Sequence, residues 1–152
     1  MGNGVVGKVI RTSVAVASMV LLSTGSSWAE TAKGKSLYDR LGGKEALVAV
    51  VESFVGKVGA DTRINGYFAN TDLTKLKMNL VNQICEATGG PCRYTGRSMK
   101  VTHAGMGVTN AAFGALVEDL VAALDQHKVG KAEKDQLLAI LGPMKSDIVE
   151  KQ

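Results

Sequence analysis

Aromatic side chains are scarce: the 152 residues include one Trp, three Tyr and three Phe, 5% in all. Strands of a β-sandwich would draw on Tyr, Thr and Ile, so this shortage, beside a heavy use of Ala, Val and Leu, points to packed helices. The length suits one domain with a single core. Only two histidines and two cysteines are present. His127 stands among Gln126 and Lys128, which leaves one histidine to join the cysteines, too few donors for a tetrahedral zinc site. Nowhere do Lys and Arg stack with aromatics, so the chain carries no nucleic-acid footprint. It contains no internal repeat and no low-complexity segment.

Long apolar runs are missing too. Lys8 and Arg11 open the chain with no acid before Glu30, the stretch 12–22 is apolar, and Ser27-Trp28-Ala29 places small residues where a signal peptidase inspects them. The run falls short of the roughly 18 to 20 residues that span a bilayer. We therefore expect a signal peptide over 1–29, cleaved after Ala29, export to the periplasm, and no stable membrane anchor afterwards. No cysteine follows the run to take a lipid. Removing the leader takes two of the 18 basic residues and none of the 14 acids, leaving 16 against 14, so the basic balance belongs largely to the leader. Residues 30–35 are expected to form a flexible tail ahead of one domain over 36–152.

Export would expose Cys85 and Cys92 to an oxidising compartment, and Gly89-Gly90-Pro91 between them could turn the chain back so that they bond. Alternatively, Cys85 on the inner face of a helix serves as a small buried hydrophobe. Both readings stand.

Helical spacing accounts for most of the remainder. Ser36 caps a short turn that Gly42-Gly43 ends. Leu47, Val50, Val51, Phe54, Val55 and Val58 recur at three- and four-residue steps, which predicts a helix over 44–58. A break over 59–65 leads to Tyr67 and Phe68. Asp72 caps a helix over 72–87 whose stripe is Leu73, Leu76, Leu80, Ile84 and Ala87. Ser98 can cap a short helix carrying His103. Thr109 or Asn110 caps a long helix through His127, with Phe113, Leu116, Leu120, Val121 and Leu124 inward. His127, in its last turn, would suit the negative end of the helix dipole. A final helix over 131–151 must be kinked or interrupted by Gly142-Pro143.

The stretch 93–105 stands out. It delivers His103 into apolar and small company (Met99, Val101, Ala104, Met106), and such an imidazole can ligate a metal, shuttle protons or sit hydrogen-bonded in a core. Ser36-Leu37-Tyr38-Asp39-Arg40-Leu41-Gly42-Gly43, Tyr67-Phe68-Ala69-Asn70-Thr71-Asp72, Gly89-Gly90-Pro91, Tyr94-Thr95-Gly96-Arg97-Ser98-Met99, Thr102-His103-Ala104-Gly105 and then Phe113 follow one another in an order that resembles a group I truncated haemoglobin. The resemblance runs from about Ser36 to the C-terminus. It implies an all-α, two-over-two truncated globin enclosing haem b. His103 would be the proximal iron ligand, with Phe54, Val55, Phe68, Leu76, Asn79, Leu80, Gln83, Tyr94 and Met99 around the cofactor. Tyr94, Arg97 and Lys100 are candidates for the haem propionates. Attachment of the c type is not indicated, because the cysteines are not spaced as Cys-x-x-Cys-His.

The chain departs from the family on the distal side. Group I members commonly carry Tyr where this chain has Val55, and Gln or another polar residue where it has Leu76 or Leu80. The resemblance therefore implies a gas-binding globin (O2, NO or CO) with an unusually apolar distal pocket, in which Asn79 and Gln83 are the remaining amides. Gas sensing and haem carriage could use the same site. A nitric oxide dioxygenase or peroxidase-like enzyme would need a reductase or other electron donor. An internal sixth ligand would have to come from Lys75 or Lys77. A helical interaction module without cofactor is the other alternative.

Overall fold

The structure, a computed structural model, describes residues 34–151. The expected leader over 1–29 and most of the expected tail lie outside the described residues. Within that tail Lys35 is held: its carbonyl accepts from Arg40 Nη1 at 2.8 Å.

The described chain runs through α1 (Leu37–Arg40), α2 (Gly43–Ala60), a 3₁₀ turn (Asn65–Phe68), α3 (Leu73–Ala87), α4 (Met99–His103), α5 (Asn110–Gln126), α6 (Lys131–Leu141), a second 3₁₀ turn (Gly142–Met144) and α7 (Lys145–Ile148). Four of the helix starts are set by local chemistry. Ser36, Asp72, Ser98 and Thr109 each accept a hydrogen bond from a backbone amide in the first turn they precede. At Ser36 the Asp39 carboxylate returns the bond to the cap's own N–H, completing a capping box.

The centre of the core is α2. Its six expected inward residues, Leu47, Val50, Val51, Phe54, Val55 and Val58, are all buried, and the helix packs against both α3 and α5. Each such side chain contributes roughly 1.5–3 kcal/mol of transfer free energy, so α2 supplies much of the folding drive.

On the flanking helices the buried sets match the expected stripes in part: Ile84, Leu120 and Leu124 are buried as expected. On α3 the buried residues are Val81, Ile84 and Cys85, while Leu73 is exposed and Leu76 and Leu80 are half-buried. On α5 the buried set is Ala112, Ala115, Leu120, Ala123 and Leu124, with Phe113, Leu116 and Val121 only half-buried. Three alanines and two leucines thus form the buried face of α5, which packs against α2.

Cys85 and Cys92 form a disulfide with Cα atoms 5.7 Å apart. Gly90 makes room for it, since a Cβ there would lie 2.6 Å from both Cys85 Sγ and the Tyr38 ring. The same corner is tied to α1 by the Tyr38 amide, which donates to the Thr88 carbonyl at 2.9 Å.

The C-terminus is not one helix over 131–151. Gly142-Pro143 does interrupt it, as expected, but α7 then stops at Ile148 and the chain extends. Glu150 and Lys151 donate their amides to the Val108 carbonyl at 2.9 and 3.1 Å, and the Asn110 amide donates to the Lys151 carbonyl at 3.1 Å. Residues 149–151 thereby form a hook around the start of α5, and α7 packs against α4.

Candidate functional site

The loop before α4 is pinned from several directions. The Tyr94 amide donates to the Glu86 carboxylate at 3.0 Å, and the Tyr94 hydroxyl donates to the Arg97 carbonyl at 2.7 Å. Gly96 must lack a side chain, because a Cβ would collide with the Tyr94 hydroxyl. Ser98 then caps α4, whose fifth and last residue is His103.

The imidazole is oriented by its own helix. His103 Nδ1 lies 2.8 Å from the Met99 carbonyl oxygen, four residues back. A carbonyl can only accept, so Nδ1 carries the proton, and in the neutral ring Nε2 keeps a free lone pair. Fixing one ring nitrogen so that the other can ligate is the usual second-shell device at metal-bound histidines.

Beyond His103 the chain reverses through Gly105 (φ 80°) and Gly107 (φ 65°), left-handed conformations that favour glycine. Both turned-out amides donate to one carboxylate: Gly105 N–H to Glu150 Oε1 at 2.7 Å and Gly107 N–H to Glu150 Oε2 at 2.6 Å. These two amides hold the Glu150 carboxyl below its ordinary pKa. Sequence reasoning missed this residue.

The expected distal residues gather on α2, α3 and the first 3₁₀ turn. Phe54 and Val55 are buried in the core, and Phe68, Leu76, Leu80 and Met99 are half-buried apolar groups packed against it, as are Phe113, Leu116 and Met144. Asn79 and Gln83 are half-buried on the same helix as Leu76 and Leu80. Gln83 Nε2 lies 3.5 Å from both Met99 Sδ and Met144 Sδ, so α3, α4 and the second 3₁₀ turn converge there.

Other candidates fall elsewhere. The Tyr94 hydroxyl is committed to its own loop, while Arg97 and Lys100 are exposed. Lys77 Nζ is 2.6 Å from Glu52 on α2, and Lys75 is exposed. His127 caps the end of α5, exposed, with Nε2 2.8 Å from the Ser53 hydroxyl.

This donor set suits a particular kind of metal group. Among the described residues no three His, Cys, Asp or Glu side chains gather to hold an ion, so His103 stands as a lone protein donor. A lone imidazole beside partly exposed apolar side chains matches an iron whose equatorial ligands come from an apolar macrocycle.

The family model of the bacterial-like globins matches residues 36–150. A group 1 truncated haemoglobin of Mycolicibacterium paratuberculosis is 38% identical over 117 residues, covering 77% of this chain and 86% of that protein. The chain belongs to the group 1 truncated haemoglobins. A second member, from Tetrahymena pyriformis, is 32% identical over 119 residues, covering 78% of this chain and 98% of its own length. The Tetrahymena protein's solved structure, in the Fe(III) form, superposes with a TM-score of 0.74 and covers 77% of this chain and all of that one, at 32% identity. The 2/2 haemoglobin of Synechococcus, solved in the cyanomet state with covalently attached haem, gives 0.71 at 37% identity, covering 76% of this chain and 98% of that one.

The fold is thus the all-α truncated globin that the sequence motifs implied, and its cofactor is haem iron. A helical module without cofactor is set aside.

Proposed function

We propose that this globin ligates haem b iron through His103 Nε2 and binds a diatomic gas, O2, NO or CO, on the side covered by α3. The observation that carries the reading is the bond from His103 Nδ1–H to the Met99 carbonyl, which leaves Nε2 free to ligate. Haem, held by His103, would supply the iron to which such a gas binds.

The chain's own residues then decide which gas is retained. Val55, Leu76 and Leu80 offer hydrocarbon where relatives commonly offer hydrogen-bond donors. Of the two amides on α3, Gln83 directs Nε2 to the Met99 and Met144 sulfurs. The Asn79 side chain makes no hydrogen bond to the described residues, so it is the amide best able to turn toward a ligand. A gas whose outer atom gathers negative charge gains least from such a wall, which favours NO and CO over O2. Nitric oxide dioxygenation needs retained O2 and an electron donor such as a reductase, so the apolar wall favours gas binding ahead of it. The Lys77–Glu52 ion pair supports an open axial position rather than an internal lysine ligand.

Export belongs to the same proposal. Lys8 and Arg11, the apolar stretch and Ser27-Trp28-Ala29 form the leader pattern. The Cys85–Cys92 disulfide suits an oxidising compartment such as the periplasm. N-terminal sequencing of the protein recovered from cell fractions tests this: a periplasmic chain beginning at Glu30 agrees, and an intact leader on cytosolic protein contradicts it.

The site itself is tested by absorption spectroscopy. The haem-loaded protein should give a five-coordinate ferrous spectrum, bind CO, and lose its axial imidazole in His103→Ala.

A further inference from the structure

We propose that Glu150 is a positioning residue of the haem site, the anchor by which the C-terminal hook holds the proximal loop and fixes the orientation of the His103 ring. The inference rests on the proposal that His103 ligates the iron. Its geometric part stands on the protein alone.

His103 ends a helix of only five residues, and the chain past it consists of glycine-rich turns. A short helix with such a continuation has little stiffness of its own. Its N-terminal side is secured by the Ser98 cap and the Tyr94 loop. On the C-terminal side the Met106 amide donates to the His103 carbonyl at 3.1 Å, and the Glu150 carboxylate takes the amides of Gly105 and Gly107, one on each oxygen. Charge-assisted bonds of this kind are about twice as strong as neutral ones. Glu150 is itself held, because its own amide and that of Lys151 bind the Val108 carbonyl and the preceding Ile148 is buried. The hook therefore spans residues 105–110, joining the His103 turn to the first residue of α5. Loss of the carboxylate would leave two amides without their partner and let the imidazole swing about the α4 axis.

The experiment uses the full chain and its Glu150→Ala and Glu150→Gln variants. In the haem-free proteins, amide hydrogen exchange at Gly105 and Gly107 should speed by about tenfold in the alanine variant, with α2 and α5 amides unchanged. In the haem-loaded proteins, transfer of haem to a competing apoprotein should accelerate several-fold, and the iron–histidine vibrational band of the ferrous form should shift or broaden. The glutamine variant keeps one acceptor oxygen and should fall between. Unchanged exchange at both glycines would overturn the proposal, and so would faster exchange with wild-type haem loss and an unshifted band. His103→Ala separates the two ideas. If it keeps the same band, the ligand assignment fails and the positioning role fails with it, whatever the exchange rates show.

Discussion

Cys85, fully buried on α3, is bonded to Cys92 on the loop that leads to His103. The helix proposed as the distal wall and the segment carrying the proposed iron ligand are thus joined by a disulfide, across a sequence separation of only 7 residues.

Closing so short a loop still restricts the unfolded chain, by about 2 kcal/mol in the chain-entropy account. Reduction should lower the urea midpoint of the native protein by a corresponding amount. Cys92→Ala should show the lower midpoint with or without reductant. Equal midpoints for the oxidised and reduced native protein would mean that the bond does not stabilise the fold.

Restoring a donor to the distal wall should restore O2 retention. Leu80 packs against the core on α3, and Leu80→Gln puts an amide of similar volume in its place. A hydrogen bond to the partly charged gas is worth about 1–2 kcal/mol, which slows O2 dissociation by roughly five- to thirty-fold. CO dissociation should change little. Stopped-flow measurement of both gases gives the comparison, and equal effects on O2 and CO would count against the apolar-wall account. Val55→Tyr should act in the same direction, with a larger stability loss because Val55 lies in the core.

Asp119 on α5 gives a pH prediction. Its Oδ2 is buried with no hydrogen-bond partner among the described residues, and burial, then the negative charge of Asp61, raises its carboxyl pKa. The folded chain therefore holds this proton more tightly than the unfolded chain does. Stability is lost as pH rises from the ordinary carboxylate value through the raised one. Asp119→Asn should remove that loss and raise Tm at neutral pH relative to the parent. The gain should vanish well below the ordinary Asp pKa of about 3.9, where both states hold the proton. A variant no more stable than the parent at pH 7 would contradict the reading.

Asp61 works in the opposite sense. Its pKa is lowered, first by the Arg63 side chain and then by the Arg63 backbone amide. Its contribution is present above the ordinary carboxylate value and fades as pH falls through the lowered one. Asp61→Asn should flatten the acid limb of the stability curve in chemical unfolding measured from pH 6 downward, and an unchanged limb would count against the pairing.

The parts of this fold that were legible in the sequence are those written locally. Caps need a Ser, Thr or Asp within a few residues of the amide they satisfy, so Ser36, Asp72, Ser98 and Thr109 could be picked out in advance. The stripe on α2 was legible because that helix packs on two partners and every inward position is apolar. On α5 apolar spacing marked Leu120 and Leu124, which are buried, but not Ala112, Ala115 and Ala123, whose small side chains carry little hydropathy signal. On α3 it marked Ile84, which is buried, and Leu76 and Leu80, which stand in the candidate site. His103 could be singled out by its neighbours, but its bond to Met99 needed the helix geometry. Glu150 was illegible: it acts on Gly105 across 45 residues, from a segment that apolar spacing assigned to a helix.

The most direct test is the absorption spectrum of the haem-loaded protein, ferric and then dithionite-reduced, beside that of His103→Ala. Ligation by His103 under an open distal face predicts a five-coordinate ferrous spectrum that converts fully with CO, and loss of the histidine-ligated form in the variant. A six-coordinate ferrous spectrum before any gas is added, or an unchanged spectrum in the variant, would contradict it.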